Sequence, residues 1–95
     1  LEGRRVGTDG SVKARSYIIN RLETLNIKPF FESGYVQTFS FPQAFGQVQA
    51  GDGSNVFAVI EGTKKETIVI SAHYDHMGIM GGKIYNGTDD NASGT

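Results

Sequence analysis

The chain of 95 residues contains no cysteine, so a disulfide scaffold and a thiolate metal site are both excluded. That absence leaves the redox compartment open, because disulfide-free proteins occur on both sides of a membrane. Charge of one sign is also missing. Nine Lys and Arg stand against ten Asp and Glu, a formal net charge of −1. This balance gives no ground for a nucleic-acid or anionic-membrane partner, either of which favours a basic patch. No apolar run approaches the ~20 residues of a membrane-spanning helix. No charged segment followed by an apolar stretch opens the chain, as a secretory leader would require. The length allows one small domain at most.

The charge that is present is unevenly placed. Residues 1–30 carry a balance of +3 and residues 31–95 a balance of −4. The basic end reads as a solvated helix. The far end is richer in chemistry, since His73, His76, Asp75, Asp89 and Asp90 all lie in the last 25 residues.

Residues 11–26 have the spacing of an amphipathic helix. Ala14, Ile18, Leu22 and Leu25 share a face, with Tyr17 beside them, and core packing is the expected use of that face. Thr8, Asp9 or Ser11 can cap its start, Asn26 can adopt the left-handed conformation that closes it, and Pro29 blocks continuation. Residues 35–41 alternate as a half-buried strand that Pro42 ends. Residues 43–53 read as a loop with room for one short strand. Asn55–Ile60 and Thr67–Ala72 read as strands joined by the polar turn 61–66, which is too short for a crossover and so implies antiparallel neighbours. The unbroken Ile68-Val69-Ile70 suggests burial on both faces, as inside an α/β sheet. A glycine-rich loop from Met77 to Gly87 then leads to Asp89-Asp90-Asn91 and the first turn of a helix.

His73 and Asp75 stand where the second of these strands ends. In an extended chain, residues i and i+2 point to one side, so the Asp75 carboxylate can reach the His73 ring. A carboxylate holding one ring nitrogen fixes the tautomer and frees the other nitrogen for a metal. A solvated strand-end pair is the plainer reading of this short pattern. The adjacent carboxylates of Asp89 and Asp90 repel unless solvent or a cation offsets their charge. They also suit a helix start, where negative charge is favoured. A loop of this size can fold back and bring one of them to the imidazole. Mixed His and carboxylate ligands without Cys suit Zn²⁺, Mn²⁺ or Co²⁺.

The runs Ile-Val-Ile-Ser-Ala-His-Tyr-Asp-His-Met-Gly (68–78) and Ile-Tyr-Asn-Gly-Thr-Asp-Asp-Asn-Ala-Ser-Gly-Thr (84–95) together resemble the zinc aminopeptidase family. That family includes bacterial leucyl aminopeptidases, glutamate carboxypeptidase II and the non-catalytic transferrin receptors. Gly3-Arg4-Arg5-Val6-Gly7-Thr8 resembles the family's opening Gly-Arg…Gly-Thr segment, and Asn55-Val56-Phe57-Ala58 its Asn-Val-x-Ala strand.

The resemblance implies an α/β fold, with a mixed, mostly parallel sheet flanked by helices. It implies a metallopeptidase holding two zinc ions and acting on peptides. By position, His73 matches a terminal zinc ligand, Asp75 the acid that orients it, and Asp90 the carboxylate bridging both metals. Asp89 falls on a non-ligand position. The family's peptide bond after the bridging Asp is cis, here Asp90–Asn91. Thr88 and Asn86 depart from the family pattern at positions that hold no metal. An adjacent Glu pair, a further acidic ligand and a last His belong to the family's site and have no counterpart in residues 1–95.

The chain begins with Leu-Glu-Gly rather than Met and stops directly after its densest motif. It is therefore expected to be the N-terminal part of a single peptidase catalytic domain, truncated after the second metal motif and inactive by itself. The parent is expected to be exported, whether periplasmic, cell-surface or secreted. Two rival readings compete. Asp89-x-Asn91-x-Ser93-Gly94 matches the opening of a calcium loop, but the residues before it are a poor helix and no twelfth-position Glu follows. A receptor-like or binding protein on the same fold is the other, and the intact His73, Asp75 and Asp90 argue against it.

Overall fold

The computed structural model describes residues 2–43 and 50–95. Its helix α1 spans Asp9–Thr24. The Thr8 hydroxyl caps α1 by accepting the Ser11 N–H at 3.4 Å, and it donates to the Arg5 carbonyl at 2.6 Å. At the other end Asn26 adopts φ 56°, and the Ile27 N–H reaches back to the Leu22 carbonyl at 2.9 Å. The boundaries lie two residues upstream of those the spacing suggests. Of the expected core face only Ala14 is buried; Ile18 and Leu22 are half-buried, while Leu25 and Tyr17 are exposed.

Strand β1 (Lys28–Pro29) is short, and β2 (Val36–Phe41) pairs antiparallel with β3 (Gly51–Val56). The register places Phe39 opposite Gly53 and Phe41 opposite Gly51. A Cβ on Gly53 would meet the Phe39 ring at 2.5 Å, so a ring covers the space that the glycine leaves. The polar positions pair too: Ser40 donates to Asp52 at 2.6 Å and Asn55 to Gln37 at 3.3 Å. Strand β4 (Ala58–Val59) then pairs antiparallel with β1. Beside it Phe30, Phe31 and Phe57 form an aromatic cluster, with ring centroids 5.1, 5.5 and 6.0 Å apart.

Three expectations are corrected here. The strand read as Asn55–Ile60 is divided at Phe57, whose N–H donates to the Tyr35 carbonyl at 2.7 Å. Its first two residues belong to β3, which begins at Gly51, within the segment 43–53 read as a loop with room for one short strand; residues 44–49 of that segment lie outside the described residues. Residues 67–72 form no ladder among the described residues, so the antiparallel pairing with 55–60 is absent. Ile68, Val69 and Ile70 are 89, 82 and 93% exposed. A strand needs a partner for its backbone groups, and a run apolar on both faces leaves that partner to be supplied from elsewhere. A broad cleft separates this run from Ile18, Leu22 and Val56. Third, the glycine-rich loop contains a hairpin, β5 (Gly78–Met80) and β6 (Lys83–Tyr85), closed by Gly81 and Gly82 at φ 55° and 75°. Two positive φ values in succession are what a two-residue hairpin turn of type I′ requires.

Residues Asn91–Gly94 make one turn of 3₁₀ helix. No cis peptide bond occurs among the described residues, so the bond from Asp90 to Asn91 is trans. Ser93 N–H and Oγ both reach the Asp90 carbonyl, at 3.2 and 3.0 Å, which seats the trans-linked turn directly on Asp90. No helix among the described residues is long and apolar enough to cross a membrane.

Candidate metal centre

His73, Asp75 and Asp90 meet at one edge of the molecule. The segment that carries the first two is held on both sides by the residue between them. Tyr74 points away from the pair, as alternation requires, and its hydroxyl donates to the Ser54 carbonyl of β3 at 2.7 Å. Arg15 of α1 donates to Ser54 Oγ at 2.6 Å, tying the helix to the same point. Burial pushes the Tyr74 phenol above its ordinary pKa, partly opposed by the nearby Arg15 guanidinium.

The His73 ring nitrogens have different neighbours. Nδ1 lies 3.0 Å from the Asp75 carbonyl oxygen and 3.5 Å from the Asp75 carboxylate. A carbonyl can only accept, so Nδ1 carries the proton of the neutral ring and Nε2 carries its lone pair. The main-chain oxygen of Asp75 is thus closer to the ring than the carboxylate expected from the sequence. Nε2 faces Oδ1 of Asp90 at 3.3 Å. Two acceptors at that distance repel unless a proton or a cation stands between them. In the chain alone a proton answers this need. The Asp75 carbonyl first, then the Asp90 carboxylate, holds the His73 pKa above the ordinary imidazole value.

A metal answers it as well. Two ligands of one tetrahedral zinc, each at about 2.0–2.1 Å, stand about 3.3–3.4 Å apart. The His73–Asp90 separation has that value, and one nitrogen with one carboxylate oxygen is a donor set that zinc accepts. The pair therefore fits zinc as two of its ligands. No group of three or more His, Cys, Asp or Glu able to hold a metal occurs among the described residues.

His76, which the sequence reading left without a role, lies beside the pair. Its Nδ1 stands 3.7 Å from Oδ2 of Asp90, and its side chain is largely buried. Gly87, at φ 71°, passes over its ring; a Cβ there would lie 2.9 Å from Cγ of His76. The signal available in the sequence was the second His of His-x-Asp-His, three positions from the first. Asp89 has no contact with His73 or His76 among the described ion pairs.

Comparison with known proteins bears on the segment that holds this cluster. Residues 55–95 match Peptidase family M28, the zinc aminopeptidase and glutamate carboxypeptidase type of family. That family is one of hydrolases, metallopeptidases whose members are typically zinc-dependent. No curated protein and no solved structure matches the chain.

Proposed function

We propose that the chain carries part of the active site of a zinc-dependent exopeptidase, an aminopeptidase that removes N-terminal residues from peptides. His73 and Asp90 are metal ligands in this reading, and Asp75 orients His73. The observation that carries it is the 3.3 Å approach of His73 Nε2 to Asp90 Oδ1, within the segment that matches a peptidase family. The two oxygens of Asp90 face different neighbours, His73 and His76. That suits a carboxylate shared between two zinc ions. Zinc held there supplies Lewis acidity toward a peptide carbonyl and toward water. The chain's own residues prepare the place: Asp75 keeps the proton on Nδ1, His73 presents its lone pair, and Asp90 supplies negative charge against the cations.

The fold that accompanies this reading is α/β, a mixed sheet with residues 67–72 as one of its strands. The unbroken apolar run there, exposed and without a ladder partner among the described residues, supports that assignment. Zinc titration of the chain tests the function, with His73→Ala as the comparison. Zinc is expected to bind the unaltered chain, weakly because only two ligands are present, and to lose the site in His73→Ala. Equal binding by both chains, or none by the unaltered chain, overturns the metal reading and favours a non-catalytic protein.

A further inference from the structure

Arg4 sits at a tight left-handed turn, Glu2–Arg4, in which all three residues have positive φ (55, 71 and 50°). For Glu2 and Arg4 this conformation is costly, and it persists only where surroundings demand it. The surroundings here are the two arms of the metal cluster. Arg4 Nε donates to the Tyr74 carbonyl at 2.6 Å, and Tyr74 lies between His73 and Asp75. Arg4 Nη2 donates to the Asn86 carbonyl, on the loop that delivers Asp90. The Arg4 carbonyl in turn accepts the His76 N–H at 3.3 Å. Gly3 is buried directly against the Gly78 backbone, where no side chain would fit. One planar guanidinium therefore spans two carbonyls twelve positions apart in sequence, one adjacent to His73 and the other four positions before Asp90.

We propose that Arg4 is a positioning residue that fixes the separation of His73 and Asp90 by clamping the main chain of both arms. The proposal rests on the zinc reading for its consequence, but the clamp itself is a property of the chain alone. Lysine cannot replace it. A lysine ammonium is a point donor on a flexible stem, whereas the arginine fork directs separate N–H groups at separate acceptors. The energetic logic is that of an outer partner that orients a ligand, whose loss typically costs about 10–100-fold in metal affinity.

Two measurements on the 95-residue chain test it. The first needs no metal: the nuclear Overhauser contact between the His76 ring and the Gly87 α-protons. It is expected in the unaltered chain, lost in Arg4→Ala, and retained in Ala14→Gly, which weakens α1 without touching the clamp. The second is zinc affinity, expected to fall about 10–100-fold in Arg4→Ala, to recover only in part in Arg4→Lys, and to return partly when millimolar guanidinium is added to Arg4→Ala. Guanidinium should do nothing for Ala14→Gly. Retention of the His76–Gly87 contact in Arg4→Ala overturns the clamp whatever zinc does. Its loss in Arg4→Ala together with its retention in Ala14→Gly supports the clamp. Should zinc then fail to bind even the unaltered chain, it is the peptidase reading that falls and the clamp that stands.

Discussion

Nε2 of His73 and Oδ1 of Asp90 stand 3.3 Å apart although 17 positions separate them in the chain. The Asp75 carbonyl occupies the other ring nitrogen, so the neutral imidazole turns a lone pair toward a carboxylate. Protonation relieves that opposition, which is why the His73 pKa is raised, by the Asp75 carbonyl first and the Asp90 carboxylate second. These partners exist only in the folded chain. The stability that the protonated ring contributes is therefore fully present below the ordinary imidazole pKa. It is lost as pH rises through the higher folded value. Zinc needs the neutral ring, so zinc affinity should climb over the same interval. Proton NMR of the imidazole should give a midpoint above that of an unstructured histidine, moving down in Asp90→Asn. An unshifted midpoint in the unaltered chain would show that the pair does not meet in solution.

Asp75→Asn separates the main-chain partner from the side-chain one. The Asp75 carbonyl keeps its 3.0 Å contact with Nδ1 after the substitution, while the carboxylate at 3.5 Å loses its charge. The loss of zinc affinity should then lie near the lower end of the range for outer partners, about 10-fold. Calorimetric titration checks it. Unchanged affinity would mean that the carbonyl alone orients the ring.

Much of the molecule could be read from the sequence where the determinants are local. Thr8, Asn26 and Pro29 bracket α1, and the alternation of 35–41 marks β2. The spacing sufficed to foresee that a loop could bring one of the two carboxylates to His73, because the entropic cost of closing a loop grows only slowly with its length. Other features depend on groups that residue type does not encode. Whether 67–72 becomes a strand is decided by a partner rather than by its own propensity. Arg4 acts on the carbonyls of Tyr74 and Asn86, and any residue type offers a carbonyl. The β5–β6 hairpin is a different case. Gly81-Gly82 between Met80 and Lys83 is a two-residue turn signal that composition alone hid among neighbouring glycines.

Gly87 and Gly82 offer a matched pair of alanine substitutions. Both residues have positive φ, 71° and 75°, so each substitution should cost about 1–2 kcal/mol of backbone strain in chemical denaturation. Only at Gly87 would the new Cβ strike the His76 ring, at 2.9 Å; at Gly82 the space is open. Zinc affinity should fall in Gly87→Ala and hold in Gly82→Ala. Equal affinities would remove the His76 ring from the architecture of the site.

Val69 stands 82% exposed between two isoleucines that are more exposed still. An exposed apolar run with no ladder partner among the described residues is a candidate for pairing with a second chain. Val69→Lys should lower self-association in sedimentation velocity. It should leave the unfolding free energy within about 0.5 kcal/mol, as for other exposed positions. An unaltered chain that does not self-associate, or association unchanged in Val69→Lys, would overturn this role for the run.

The adjacent carboxylates of Asp89 and Asp90 are the sharpest discriminator, because the two metal readings assign them opposite roles. In the zinc reading Asp90 supplies the oxygen that faces His73, and one further oxygen 3.7 Å from His76. Asp90→Asn exchanges that negative charge for a neutral amide. Positive charge at the site is then poorly offset, and zinc should be lost. Asp89→Asn alters only the surrounding field, and zinc binding should survive with a modest loss. A calcium loop starting at Asp89 inverts the order, since Asp89 would be its first ligand and Asp90 a spacer. Elemental analysis of both variants after dialysis against equimolar zinc and calcium reads both outcomes at once. Zinc retained in Asp90→Asn and lost in Asp89→Asn would sink the assignment of His73 and Asp90 as a pair of ligands. The expected result, zinc lost only with Asp90, would leave calcium with no residue that needs it.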